Sequence, residues 1–288
     1  MKFDVLNRFT GDVNFTADID CDKGDSRSIK LGLAVKWGVK NRANLVGASL
    51  AGADLAGASL YGASLAGADL HRANLVGADL HRANLVGANL DRASLDGANL
   101  AGADLDRANL HRADLDRADL DGANLVGANL VGADLVGAIL VGANLAGANL
   151  YGADLHRADL HRANLVGARL DRANLHRASL VGTSLDRASL DGANLAGANL
   201  DRASSGINDY LKSIQLDKYP ICYTSEVLQI GCEKHSINEW REFDDERIIQ
   251  MDGKAALKFW RKYQDFIFMA IDLAPAKPTG FIEKEVKQ

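Results

Sequence analysis

The residues that suggest chemistry in this chain are its histidines, its cysteines and a few aspartates. Cys222, Cys232 and His235, with Asp244 and Asp245 downstream, supply three ligands of the kinds that zinc prefers. The spacing lacks a second CxxC or HxxxH pair, so the expectation is a small structural module with buried cysteines and no metal. The other six histidines, His71, His81, His111, His156, His161 and His176, are each followed by arginine. From residue 43 to 203, arginine otherwise follows only aspartate, apart from Arg169 at a different position. Every acid in that segment is Asp and every base is Arg, 18 against 13, while all Lys and Glu lie outside it. Such a mixture reads first as surface salt-bridge laddering that keeps the chain soluble. With Asp interleaved among Arg, and neither Lys nor an aromatic stacking platform beside them, direct nucleic-acid binding is not expected.

These side chains are positioned by a repeat. Leucine stands at every fifth position from Leu45 to Leu200, 32 times, and alanine precedes it by two residues in 31 units, Thr183 being the break. An α-helix turns about 100° per residue, so leucines five apart would wind around the cylinder and build no face. In a flat strand an odd period sends alternate leucines to opposite sides. What remains is a chain that turns a corner once per unit and points each leucine at a common axis, a β-solenoid. In the unit Ala-(Asp/Asn/Ser)-Leu-x-(Gly/Arg), two positions face in and three face out. Gly fills the last position in 20 units and Arg in 12, which suggests a corner where φ is not obligatorily positive and the turn type is free to vary. The Asp and Asn before each leucine are expected to bond neighbouring backbone at the turns.

Runs such as Ala43-Asn44-Leu45-Val46-Gly47 and Ala73-Asn74-Leu75-Val76-Gly77 resemble the pentapeptide-repeat family. The resemblance implies a mainly β protein, a right-handed quadrilateral β-helix with 20 residues per coil and so about eight coils. At that coil length His71, Asp91 and His111 fall in one column, and His156 falls over His176, with neighbours about 5 Å apart. His156 and His176 alone make two ligands without a third, which is a weak metal site. One coil would carry an apolar residue at all four corners, Val126, Val131, Val136 and Val141, with Ile139 nearby. That ring, together with His71, Arg72, Asp91, Arg92, His111 and Arg112, is the candidate interaction surface, although four valines around a rod make no contiguous patch.

The open ends of a rod are sheet edges, and the flanking segments are expected to cap them. All Trp and Phe lie in these flanks. Residues 1–42 read as a hairpin around Thr10-Gly11-Asp12 followed by Leu31 to Lys40, which fits both a strand alternation and a helical stripe. The family resemblance favours a capping helix there. Residues 43–203 are the repeats. Residues 204–288, opened by a joint at Ser204-Ser205-Gly206, read as an α+β capping or interaction module. It has a hairpin from Tyr219 to Ile230, a capping box at Ser236 to Glu239, and a long helix from Gly253 to Leu273. The helix's apolar face, Leu257, Trp260, Ile267 and Ile271, is expected on the last coil or on the hairpin, Pro275 and Pro278 end it, and the tail around Glu283-Lys284-Glu285 should fray.

A convex column filled by leucine and alanine offers no concave pocket, so no catalytic residue, cofactor or metal is expected. The start has no long apolar run, and three cysteines, Cys21, Cys222 and Cys232, are too few for a disulfide framework, so the expectation is a cytoplasmic protein without a membrane span. The reading is therefore a non-enzymatic scaffold for an unidentified protein partner, its oligomeric state open. The resemblance adds an alternative, since some pentapeptide-repeat proteins mimic duplex DNA and bind DNA gyrase. The 13 Arg among 18 Asp argue against it by diluting the acidic potential. A second alternative makes the C-terminal module an effector and the rod its spacer.

Overall fold

The computed structural model of the protein describes residues 1–205, 209–216 and 219–279. From Ser49 to Ser184, the residue before each leucine pairs in parallel with the residue 20 positions later. Leu50 N donates to Asp69 O at 2.8 Å and Asp69 N donates to Ala48 O at 2.9 Å, and this pattern recurs along the stack. A turn falls at every fifth residue, so each 20-residue coil has four corners. The inward positions are filled as the pattern demands: all the repeat leucines and alanines are buried except Ala43, Ala63 and Leu195, which are half-buried. Thr183, where alanine is expected, is also fully buried, and its hydroxyl donates to Leu160 O at 2.8 Å, which removes the penalty for an unpaired polar group.

The corners correct the expectation of variable turns. At each corner the alanine N–H closes a turn onto the preceding leucine carbonyl, as in Ala73 N to Leu70 O at 2.9 Å. The residue before that alanine is left-handed throughout, whether it is glycine or arginine; Arg72 and Arg92 both have φ of 55°. The turn needs positive φ at this position as a type II turn does, and arginine adopts it in spite of its Cβ. The polar residue before each leucine behaves as expected, for example Asp79 Oδ1 accepting from His81 N at 3.1 Å. It also bonds between coils: Asn89, Asn109 and Asn129 each donate a side-chain N–H to the residue one coil earlier at 2.9–3.0 Å.

Both ends are covered. Strands β1 (Lys2–Leu6) and β2 (Val13–Asp18) form an antiparallel hairpin, and Ser49 N of the first coil donates to Leu6 O at 2.7 Å. Helix α1 (Arg27–Lys40), started by Ser26 capping Ile29 N, begins earlier than the stripe from Leu31 and puts Leu31, Ala34 and Val35 into the same core as the leucines. Gly32 allows its close approach, since a Cβ there would lie 1.9 Å from Asp54 O.

The C-terminal segment contains β3 (Lys212–Gln215), β4 (Pro220–Tyr223), β5 (Val227–Ile230), β6 (Glu233–Ser236), α2 (Ile237–Glu242) and α3 (Asp245–Leu273). The four strands make one antiparallel sheet in chain order, of which sequence alone suggested only the middle hairpin. Alternation divides its two faces. Cys222 and Gln229 point at the last coil, where Gln229 Oε1 accepts Leu200 N at 3.0 Å and Cys222 Sγ donates to Ala203 O at 3.3 Å. Ile221, Tyr223, Leu228 and Ile230 point the other way, into a second core with Trp240, Phe259, Trp260, Ile267 and Ile271. The apolar face of α3 thus packs on the hairpin's own sheet rather than on the last coil. α3 also starts earlier than expected and is broken at Asp252 and Gly253, whose φ/ψ of 61°/−152° is not helical. The joint at Gly206 and the tail around Glu283 lie outside the described residues.

Candidate interaction surface

The stack turns sequence neighbours 20 apart into spatial neighbours, and one corner gathers most of the candidate residues. Arg72 N donates to Asp91 O, Arg92 N to His111 O and Arg112 N to Val131 O, each at 2.9 Å, so His71, Asp91, His111 and Val131 follow one another in a column. The column continues through Gly132 N to Tyr151 O at 3.0 Å and Gly152 N to Asp171 O at 2.9 Å.

Asp91 is the electrostatic centre of this corner. His71 Nδ1 lies 3.0 Å from one carboxylate oxygen and His111 Nδ1 2.7 Å from the other. A carboxylate only accepts, so the His111 imidazole carries its proton on Nδ1. Burial works to raise the Asp91 carboxyl, but the hydrogen bond from His111, with Arg92 and His71 beside it, outweighs burial and holds it below the ordinary value. Asp91 is thus held as a carboxylate between the two imidazoles, with Arg92 beside it. Arg72, Arg92 and Arg112 are exposed, and none of them forms an ion pair among the described residues. A Cβ on Gly132 would touch Arg112 Cγ at 3.5 Å, so the Arg112 stem lies over the corner of the next coil.

Tyr151, Arg169 and Arg172 also belong to this corner and were missed from sequence. The Arg169 and Arg172 guanidinium carbons lie 5.1 and 5.6 Å from the Tyr151 ring centroid, within cation–π range. Arg169 Nε donates to Asp171 Oδ2 at 2.7 Å. Burial would raise the Asp171 carboxyl, yet hydrogen bonds from Ser189 and Arg169 hold it low. The signal was present, since Tyr151 and Asp171 share the 20-residue register of His71.

The valine ring is dispersed. Val126 stacks on Asp106, Val136 on Asp116 and Val141 on Asp121, each on a different corner from Val131. All four are half-buried; Val131 joins the His71 column, while Val136 is followed one coil later by His156 and Val141 by His161. Ile139 is 43 % exposed beside them. His156 and His176 stack face to face with centroids 5.2 Å apart, on the corner of Val136, where Gly137 N donates to His156 O at 2.9 Å.

Cys222, Cys232 and His235 are not brought to one point. Cys222 is buried toward the last coil, its thiol pushed up to about 12 by burial, whereas Cys232 is exposed. His235 pairs with Glu233 at 3.2 Å and meets Trp240 and Phe243 edge-on. Among the described residues no group of three His, Cys, Asp or Glu side chains is placed to hold a metal. No helix among them is long and apolar enough to cross a membrane.

Comparison with known proteins follows the same lines. The family model described as pentapeptide repeats matches in eight copies, over residues 43–82, 73–112, 103–140, 138–177 and 168–204. No curated protein matches the chain. Among solved structures, HetL, a pentapeptide repeat protein involved in heterocyst differentiation regulation from the cyanobacterium Nostoc sp. strain PCC 7120, is 43 % identical. That match covers 54 % of this chain and 71 % of HetL, with a TM-score of 0.53. Rfr23 from the cyanobacterium Cyanothece 51142 is 32 % identical over 43 % of this chain and 60 % of its own, with a TM-score of 0.22. QnrB1, a plasmid-mediated fluoroquinolone resistance protein, is 20 % identical over 48 % of this chain and 80 % of its own, with a TM-score of 0.37. With the family's repeats matched over more than half of its length, the chain belongs to the pentapeptide repeat family.

Proposed function

We propose that the protein is a non-enzymatic scaffold of the cytoplasm whose corner from His71 to Arg172 binds a protein partner bearing acidic and apolar groups. Residues 43–203 are then a right-handed, four-sided column of about eight coils, held between an N-terminal cap of residues 1–42 and a C-terminal capping or interaction module of residues 204–288. The observation that carries the binding reading is the composition of that corner. Arg72, Arg92, Arg112, Val131, Tyr151 and Arg172 line up over roughly 24 Å, five steps of about 4.8 Å. Arginine and tyrosine are the residue types that dominate binding energy at protein interfaces.

Backbone energetics support the same reading. A left-handed arginine costs roughly 1–2 kcal/mol. Glycine avoids that strain at an entropic cost of roughly 0.5–1 kcal/mol. A corner with only a structural task is thus served better by glycine, and arginine there points to a use for the guanidinium. The likeness to HetL, a protein involved in regulation, agrees with a binding role and requires no catalysis. The lesser reading, DNA mimicry toward gyrase, is weakened by exposed arginines along the very corner that would have to imitate phosphates.

The test is an affinity capture from the native host with the wild type and with a variant carrying Arg72→Asp, Arg92→Asp and Arg112→Asp. The proposal expects at least one protein retained by the wild type in near-stoichiometric amount and lost by the variant. Equal retention by both would count against it. Supercoiling inhibition that persists in the same variant would favour the gyrase reading instead.

A further inference from the structure

The column is solid, but the C-terminal segment is not. A cleft of about 330 Å³ opens between the end of β5, α2 and the two halves of α3, at the small end of the range for ligand pockets. We propose that this cleft binds a small organic cation, an ammonium group attached to an aromatic or aliphatic body.

Its walls are aromatic and fixed. Trp240 and Trp260 face each other with centroids 5.2 Å apart, and Trp240 Nε1 donates to Leu228 O at 2.8 Å. Phe259 meets Tyr219 edge-on at 4.9 Å. Walls already ordered before a ligand arrives lose little entropy on binding. The break in α3 makes the space. At Asp252 and Gly253 the chain leaves helical geometry, so that Ile248 and Met251 line the cleft from the first half and Phe259 and Trp260 from the second. Gly253 adopts a φ/ψ that a residue with a Cβ rarely reaches, and a Cβ there would meet nothing within 4 Å. The glycine thus serves the path of the chain and not close packing.

The charge of the lining selects the ligand class. Its charged members are Glu233 and Asp252, and no Lys, Arg or His is among them. Glu233 is paired with His235 and Asp252 accepts from the Tyr219 hydroxyl, so both carboxylates are held in place in the lining. Aromatic faces attract a cation through their quadrupole, and two carboxylates beside them favour a cation and repel an anion. An apolar cleft of this size without those acids would take a neutral molecule equally well.

The experiment is a tryptophan-fluorescence titration of the full chain, in a Trp37→Phe background that leaves Trp240 and Trp260 as the reporters. Three probes with the same phenylethyl body are compared: phenethylammonium, 2-phenylethanol and 3-phenylpropionate. The proposal expects a saturable emission change with the ammonium, at least tenfold weaker binding of the alcohol, and none of the carboxylate. Glu233→Gln with Asp252→Asn should weaken the ammonium at least tenfold and leave the alcohol unchanged. Ala256→Leu, which fills the cleft, should abolish both with the circular dichroism spectrum preserved. The proposal is overturned by no saturable change with the ammonium up to millimolar concentration, by equal binding of the carboxylate, or by full binding to a folded Ala256→Leu protein.

Discussion

Replacing Gly32 by alanine puts two large effects in opposition. In an isolated helix the change would stabilise α1 by about 1 kcal/mol, because glycine is the poorer helix former. Here the new Cβ would sit 1.9 Å from Asp54 O and 2.9 Å from its carbonyl carbon, both backbone atoms of the first coil. Ordinary contact begins at 3.4 Å, so α1 has to retreat by about 1.5 Å. Ser28 Oγ to Gly52 O at 2.5 Å and Asp54 N to Ser28 O at 3.1 Å cannot survive that movement. Two lost hydrogen bonds at about 1 kcal/mol each, with Leu31, Ala34 and Val35 partly drawn out of the core, outweigh the propensity gain. The net expectation is about 2–3 kcal/mol of destabilisation, or roughly 3–5 °C in Tm for a chain of 288 residues. Thermal melting by circular dichroism, with hydrogen exchange at the Asp54 amide, measures both parts. A Tm that is unchanged or raised, with Asp54 still protected, would show that the helix does not seal the column as described.

Other consequences follow from the candidate surface and the cysteines. Arg92→Gly removes a left-handed arginine and should leave stability within about 1 kcal/mol of the wild type or raise it, while partner capture falls; a large loss in a denaturant melt would mean that the guanidinium is structural. Asp91 has a folded-state pKa below its unfolded value, so its contribution is present above the unfolded pKa of about 3.9 and is lost as pH falls through the depressed value. Asp91→Asn should therefore lower stability near neutrality by up to about 1 kcal/mol and converge with the wild type only as pH falls below the depressed Asp91 value. A gap that stays constant with pH in urea titrations would contradict the paired carboxylate. In the native protein at pH 8, a maleimide should label Cys232 and spare Cys222, whose thiol is held up at about 12 and buried against Ala203; mass spectrometry of the digest decides it.

The column was legible because its period admits few backbones: five-residue spacing of leucine excludes helix and flat sheet, and the family's coil length puts His71, Asp91 and His111 side by side. The left-handed corners were not legible, since arginine at 12 of 32 units suggested a permissive φ, whereas the turn imposes the conformation and arginine yields to it. In the C-terminal segment the capping box at Ser236 could be read directly, because both partners are local. Strands β3 (KSIQ) and β6 (EKHS) carry no clear apolar alternation and exist because β4 and β5 offer them edges. The direction of the α3 apolar face likewise depends on which surface lies opposite, and the sheet's inner face was not visible until all four strands were in place. Gly253, inside an otherwise helical run, was the one local sign of the break that opens the cleft.

The central claim, that one corner of a filled column is the binding face, is tested most directly by photo-crosslinking from two positions of the same coil. Val131 lies in the His71 to Arg172 corner, and Val141 is two corners away; both are half-buried and both precede a glycine. With a benzophenone side chain at position 131 the account predicts a covalent adduct with the captured partner, and with the same group at 141 it predicts none. Equal adducts from both positions, or adducts from 141 alone, would contradict it.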